Sequence, residues 1–113
     1  MRFTITAALL LLLSLGSVAS AHPPSEIRLN YDGEKKLEVR VIHGVDNGSK
    51  HFIDKVEVRL DSKLVAEKVF ASQLSPKGLV VAFPLGALAP GTVIAVRAHC
   101  NIFGSREVTY RVP

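Results

Sequence analysis

Short runs of alternating apolar and polar residues, each closed by a turn, constrain this chain more than anything else in it. Ile27, Leu29 and Tyr31 alternate with Arg28 and Asn30, and Leu37, Val39 and Val41 with Glu38 and Arg40. Val56, Val58 and Leu60 alternate with Glu57 and Arg59, and Ile94, Val96 and Ala98 with Ala95 and Arg97. A period of two places one set of side chains on each face of an extended segment, so these runs read as half-buried strands. Leu79, Val81 and Phe83 lie in another apolar run, and Val108 and Tyr110 lie near the end. Lys63 to Ser72 can be mistaken for a helix, but its β-branched content and flanking turns favour a strand. Turn signals separate the runs: Asp32-Gly33, Asp46-Asn47-Gly48-Ser49, Asp61-Ser62, Ser75-Pro76-Lys77-Gly78 and Ala89-Pro90-Gly91. About seven strands and no convincing helix predict an all-β fold, an immunoglobulin-like antiparallel β-sandwich. There is no internal repeat, low-complexity tract or second domain.

The N-terminus has the pattern of an export signal. Met1-Arg2 is a short basic start, Ala7 to Leu15 is apolar and leucine-rich, and Ala19-Ser20-Ala21 fits a small-x-small cleavage site. The expectation is a signal peptide over residues 1–21, cleaved before His22, and a mature domain over 22–113 that is secreted or periplasmic. The apolar run is short for a span of roughly 20 residues. No later segment is long and apolar enough to cross a bilayer, so no stable membrane insertion is expected after cleavage. No cysteine stands at the cleavage site, which argues against a lipoprotein. The formal net charge of +4 is spread along the chain. No dense basic patch with interleaved aromatics supports nucleic-acid binding. The charge favours solubility and attracts small anions.

Cys100 is the only cysteine, so it has no partner for an intramolecular disulfide. Four histidines accompany it: His22, His43, His51 and His99. One sulfur and several imidazoles together suit a transition metal. Strand parity sorts them. His43 continues the parity of Val39 and Val41, and Cys100 that of Val96 and Ala98, so both point inward. His99 points outward. His51 has the opposite parity to Val56 and Val58 and is expected on the loop or strand entry, where a bulge can re-aim it. His22 lies in the Pro-rich start, free to fold across one end. Each also has a plainer reading. Cys100 can be a small buried apolar side chain, and His43 a hydrogen-bonded imidazole at the core edge. His51 and Lys50 can be solvated loop residues, and His22 a loose terminus. Asn47-Gly48-Ser49 has the form of a glycosylation acceptor but reads better as a turn.

His43, seven residues and then His51-Phe52-Ile53-Asp54-Lys55-Val56-Glu57-Val58, followed by Cys100-Asn101-Ile102-Phe103-Gly104, resembles the iron domain of superoxide reductases, the desulfoferrodoxin and neelaredoxin family. The resemblance spans the mature chain, and Cys-Asn-Ile-x-Gly is its most specific part. It implies a seven-stranded immunoglobulin-like sandwich holding a mononuclear non-haem iron. Four imidazoles would bind equatorially and a cysteine thiolate axially, with the sixth position open to superoxide. By position, Cys100 is the axial thiolate, His43 and His51 are the paired histidines, and His22 is the candidate for the early one. Lys50, beside His51, would help draw in superoxide. The implied reaction adds one electron and two protons to superoxide and yields hydrogen peroxide. An external, unidentified electron donor must restore the iron, since no second redox centre is recognisable.

Three departures from the family pattern stand out. Phe103 occupies the position of the fourth imidazole, where its ring is expected to line the site. The His43–His51 spacing is two residues longer than usual. No Glu-Lys pair precedes His22. Two alternatives follow. If processing leaves His22 first, its α-amine and imidazole resemble the copper-binding brace of periplasmic copper proteins. The chain can also be a non-catalytic metal-binding or accessory module with a degenerate site.

Overall fold

A computed structural model describes residues 22–113; the expected signal peptide, residues 1–21, lies outside them. Seven strands run in chain order: β1 (Glu26–Tyr31), β2 (Leu37–Ile42), β3 (Ile53–Leu60), β4 (Lys63–Val69), β5 (Gly78–Phe83), β6 (Val93–Cys100) and β7 (Ser105–Arg111). They form two antiparallel sheets, β1-β2-β5 and β4-β3-β6-β7, and no helix occurs among the described residues. The expected β-sandwich is therefore the fold, and the ambiguous segment after Ser62 is strand β4. The β2–β3, β4–β5 and β5–β6 links each pass from one sheet to the other. Strand β4 pairs with β3 rather than β5 because Asp61 (φ 48°) and Ser62 (φ 75°) form a tight turn between them. Positive φ at both central residues matches strand twist and favours a hairpin. The Asp61 carboxylate also accepts the Val93 amide at 3.0 Å, tying this turn to the start of β6.

The period-two pattern becomes the core. Leu37, Val39 and Val41 of β2 are fully buried, as are Ile94, Val96, Ala98 and Cys100 of β6. Phe83, Leu37, Ile53 and Ile94 are the largest fully buried side chains among the described residues. Strand β4 is exposed along nearly its whole length. Its Lys63, Glu67 and Lys68 place charge along a sheet edge, which discourages pairing with another chain.

One irregularity decides what reaches the interior. Along β3 and β6, Ile53 pairs with Cys100 but Lys55 pairs with His99, so two steps on β3 oppose one on β6. The extra residue is Asp54, and this is a β-bulge. It reverses the parity of β3: Ile53 is buried before it, and Val56 and Val58 are buried after it. The inward-facing phase that includes Ile53 also includes His51.

The strand ends then gather at one pole. β2 stops at Ile42, which pairs with Glu26 at the start of β1 and with Gly78 at the start of β5. β3 begins where β6 ends, at the Ile53–Cys100 pair. Gly78 (φ 143°) permits this crowding, since a Cβ there would collide with the Val41 carbonyl oxygen.

The two faces of the sandwich differ in what they tolerate. Ile94→Ala, at a fully buried site, is expected to cost about 2–5 kcal/mol. Val80→Ala, at a position 49% exposed, is expected to stay within about 0.5 kcal/mol of the parent. Urea midpoints at an unchanged m-value measure both; comparable losses would mean that the inner face has been misassigned.

Candidate metal centre

His43 is the first residue after β2 and is completely buried. Its Nδ1 lies 2.9 Å from the Gln73 side-chain oxygen, and its amide donates to the Lys77 carbonyl at 2.8 Å. Burial pushes its pKa below the ordinary value of 6.5, the bond to Gln73 opposes this, and the neighbouring His51 and His22 add to the depression. The buried His43 is therefore held neutral, the form in which an imidazole ligates.

His51 is positioned by turn chemistry. The Asn47 carbonyl accepts both the Lys50 amide (3.1 Å) and the His51 amide (2.9 Å). The Asn47 side chain in turn accepts the Ser49 amide and hydroxyl. This local ring of bonds is how asparagine stabilises a turn. Asn101 then clamps both neighbours of His51. Its side-chain oxygen accepts the Phe52 amide (2.8 Å), and its side-chain nitrogen donates to the Lys50 carbonyl (3.0 Å). Cys100 ends β6 with its amide bonded to the Gly104 carbonyl at 2.9 Å, which starts the turn into β7.

These three segments bring His43, His51 and Cys100 together, with one ligand atom from each inside 4.8 Å of the others. Nε2 of His43 and Nε2 of His51 are buried and have no hydrogen-bond partner. An unpaired buried polar atom costs roughly 1–3 kcal/mol. Two such nitrogens beside one sulfur are a donor set that a transition metal satisfies.

The other candidates fall as follows. The exposed His22 lies outside the three-donor cluster but beside it, with its ring centroid 5.8 Å from both the His43 and His51 rings. Its Nδ1 lies 3.0 Å from the Pro23 carbonyl, an acceptor only, so Nδ1 carries the proton and Nε2 is the free nitrogen. Lys50 is exposed next to His51. His99 points to the outer face, as parity requires, and pairs with Asp54 at 2.7 Å. Phe103 is 46% exposed on the β6–β7 turn, so its ring is open to solvent and not enclosed within the site. Gln73 and Asn101, which orient the histidine-bearing segments, carry no periodic signal in the sequence. Only the Cys-Asn pairing of the resembled motif hints at Asn101.

No family model matches the sequence, and no curated protein does. Among solved structures, the chain is similar to the superoxide reductase (neelaredoxin) of Ignicoccus hospitalis, with a TM-score of 0.56, 21% identity and coverage of 85% of this chain and 83% of that one. A single-substitution variant of that protein matches with a TM-score of 0.55, 20% identity and coverage of 88% and 85%. The shared property is the fold. This chain has the fold of a superoxide reductase, with a His/His/Cys cluster at one pole.

The depressed His43 pKa has a thermodynamic consequence. The native state binds its proton less readily than the unfolded chain, so stability is complete above the unfolded value of 6.5 and declines as pH falls below it. Metal-free protein is expected to lose stability from about pH 6.5 downward, by urea titration at successive pH values. His43→Asn is expected to flatten that slope; an identical slope would assign it to another group.

Proposed function

We propose that this chain is an exported mononuclear iron protein that reduces superoxide to hydrogen peroxide. His43, His51 and Cys100 are its ligands, and His22 supplies a further nitrogen. The observation that carries the reading is that His43, His51 and Cys100 bring one ligand atom each to within 4.8 Å of the others, and that both histidines have a buried, unpartnered Nε2, in a fold like that of superoxide reductases. A set of imidazole nitrogens and a thiolate does not suit calcium or magnesium, which take oxygen ligands. It does suit iron, copper and zinc. The similarity in fold to superoxide reductases favours iron among these.

Bound there, iron would supply the one electron that superoxide needs. The balance also requires two protons, drawn from solvent, and an external donor to replace the electron. The chain's own residues prepare the site. Cys100 is fully buried, so its sulfur is shielded from solvent. His43, held neutral by burial, offers a lone pair without first losing a proton. Lys50 and the net positive charge favour the approach of a small anion.

The copper brace is the less favoured reading. An α-amine and Nδ1 of the same histidine close a six-membered chelate ring, whereas Nε2 is too distant to close one. In this structure the His22 Nδ1 is directed at the Pro23 carbonyl. Export rests on the pattern of residues 1–21.

Metal analysis of protein purified from its native compartment tests the iron assignment. Fe(II)-loaded protein, once oxidised, is expected to show a visible thiolate-to-iron band that Cys100→Ser removes, because a hydroxyl poorly replaces a soft thiolate. Superoxide pulses should yield peroxide in parent protein. Copper retained in Cys100→Ser, but lost when residues are added before His22, would sink the iron reading.

Phe103 provides a second measurement. With no imidazole there, iron should be held more weakly than at a four-imidazole centre. Where the backbone lets the new side chain turn from solvent toward the ion, Phe103→His is expected to raise iron retention against a chelator and to speed peroxide formation. Unchanged retention in a folded variant would show that position 103 is aimed away from the ion.

A further inference from the structure

Gln73 is 5% exposed on the link between β4 and β5, and its amide makes four hydrogen bonds. Its side-chain nitrogen donates to the His43 carbonyl (2.7 Å) and the Ser75 carbonyl (2.9 Å). Its side-chain oxygen lies 3.2 Å from the Ile53 amide and 2.9 Å from Nδ1 of His43. Carbonyls only accept and a backbone amide only donates, so three of these partners fix which end of the amide is oxygen. With the oxygen facing His43, the proton of a neutral imidazole must sit on Nδ1. Nε2 is then left as a bare lone pair, and it is the buried atom with no partner.

We propose that Gln73 is the positioning residue that holds His43 in the Nδ1–H tautomer and aims its bare Nε2 at the ion. The ligand half of this inference rests on the metal-centre reading above. Metal-bound histidines depend on such a partner on the second nitrogen, which sets both tautomer and ring orientation. Gln73 does more than touch one ligand. Its backbone amide donates to the Gly48 carbonyl at 2.8 Å, inside the turn that carries His51. A Cβ on Gly48 would collide with the Gln73 carbonyl oxygen, so only glycine allows this approach. The side chain also bonds Ile53, which pairs with Cys100. One buried glutamine thereby gauges the His43 segment against the two strands and the turn that bring His51 and Cys100.

Glutamate cannot substitute fully. Its carboxylate would still accept from Nδ1–H, but it would face the His43 and Ser75 carbonyls with no proton to donate. Gln73→Met keeps the volume and removes all four side-chain bonds. The two variants separate tautomer control from packing.

The test uses metal-free protein labelled with ¹⁵N-histidine, long-range proton–nitrogen NMR, and Co(II) titration. His43 is assigned by its disappearance in His43→Asn. Parent protein is expected to show an unprotonated Nε2. Gln73→Met is expected to show mixed tautomers and Co(II) binding weakened by about 10–100-fold. Gln73→Glu is expected to keep the parent tautomer with a lower urea midpoint. A proton on Nε2 of His43 in parent protein would overturn the proposal, and this spectrum decides even if Gln73→Met fails to fold. Unchanged Co(II) affinity in folded Gln73→Met would overturn it equally. Parent protein that binds no Co(II) would overturn the metal-centre reading and the ligand role, while the nitrogen shifts still decide the tautomer.

Discussion

The candidate centre depends on a single extra residue, Asp54, in the pairing of β3 with β6. Without the bulge, a side chain in phase with Val56 and Val58 would leave His51 on the outer face. With it, His51 and Ile53 share the inward face with Cys100. The bulge is anchored on both sides. The Asp54 carboxylate bonds His99, and its carbonyl accepts the Phe70 amide at 2.8 Å. His99 and Cys100 are neighbours on β6 with opposite faces, so the pair that fixes the bulge lies back to back with the sulfur it serves. Bulges next to functional groups recur because they redirect a side chain without disturbing the rest of the sheet.

The polar chemistry of this pole is asymmetric. The Asn47, Asn101 and Gln73 side chains are each engaged with backbone or neighbouring groups. Two buried ring nitrogens are not. A pole whose amide side chains are so fully engaged, yet which leaves two buried ring nitrogens without partners, carries a local cost of roughly 1–3 kcal/mol at each. Binding of a metal would remove that cost, and its binding free energy would add to folding free energy. Local departures from complete satisfaction are expected where function overrides stability.

The sandwich was legible because strands announce themselves. Alternation in β2 and β6 assigns Val39, Val41, Val96 and Ala98 inward, and parity extends that assignment to His43 and Cys100. His51 lies where strand parity alone does not decide the facing of a side chain. Its parity conflict with Val56 is compatible with a loop or a bulge, and no residue type marks Asp54 as the extra one. Gln73 was invisible for a different reason. It lies in a polar link with no period, and its importance comes from partners 20 and 30 residues away. The expectation for Phe103 came from position in a resembled motif, whereas exposure is decided by how the β6–β7 turn projects. The motif could place the residue on the turn but not orient its ring.

The N-terminal segment completes the pole by a different device from the strands. Pro24 is fully buried, and its carbonyl accepts the Arg106 side chain at 2.6 Å. The Ser25 amide bonds the Ile42 carbonyl at 2.9 Å, extending the β1–β2 ladder to the residue before His43. Gly104 (φ 77°), next to Phe103, lies against Pro23, and an added Cβ would be in ordinary contact with the Pro23 Cβ at 3.6 Å. Two prolines restrict the strap in the unfolded chain as well, so less conformational entropy is lost when it docks. The strap thus delivers the His22 ring beside His43 and His51 along the turn where Phe103 stands. Three donors come from the sandwich's own register, and the nearest additional imidazole comes from this strap. Its position depends on Pro24, Ser25 and Arg106 rather than on the hydrophobic alternation that builds the rest of the fold.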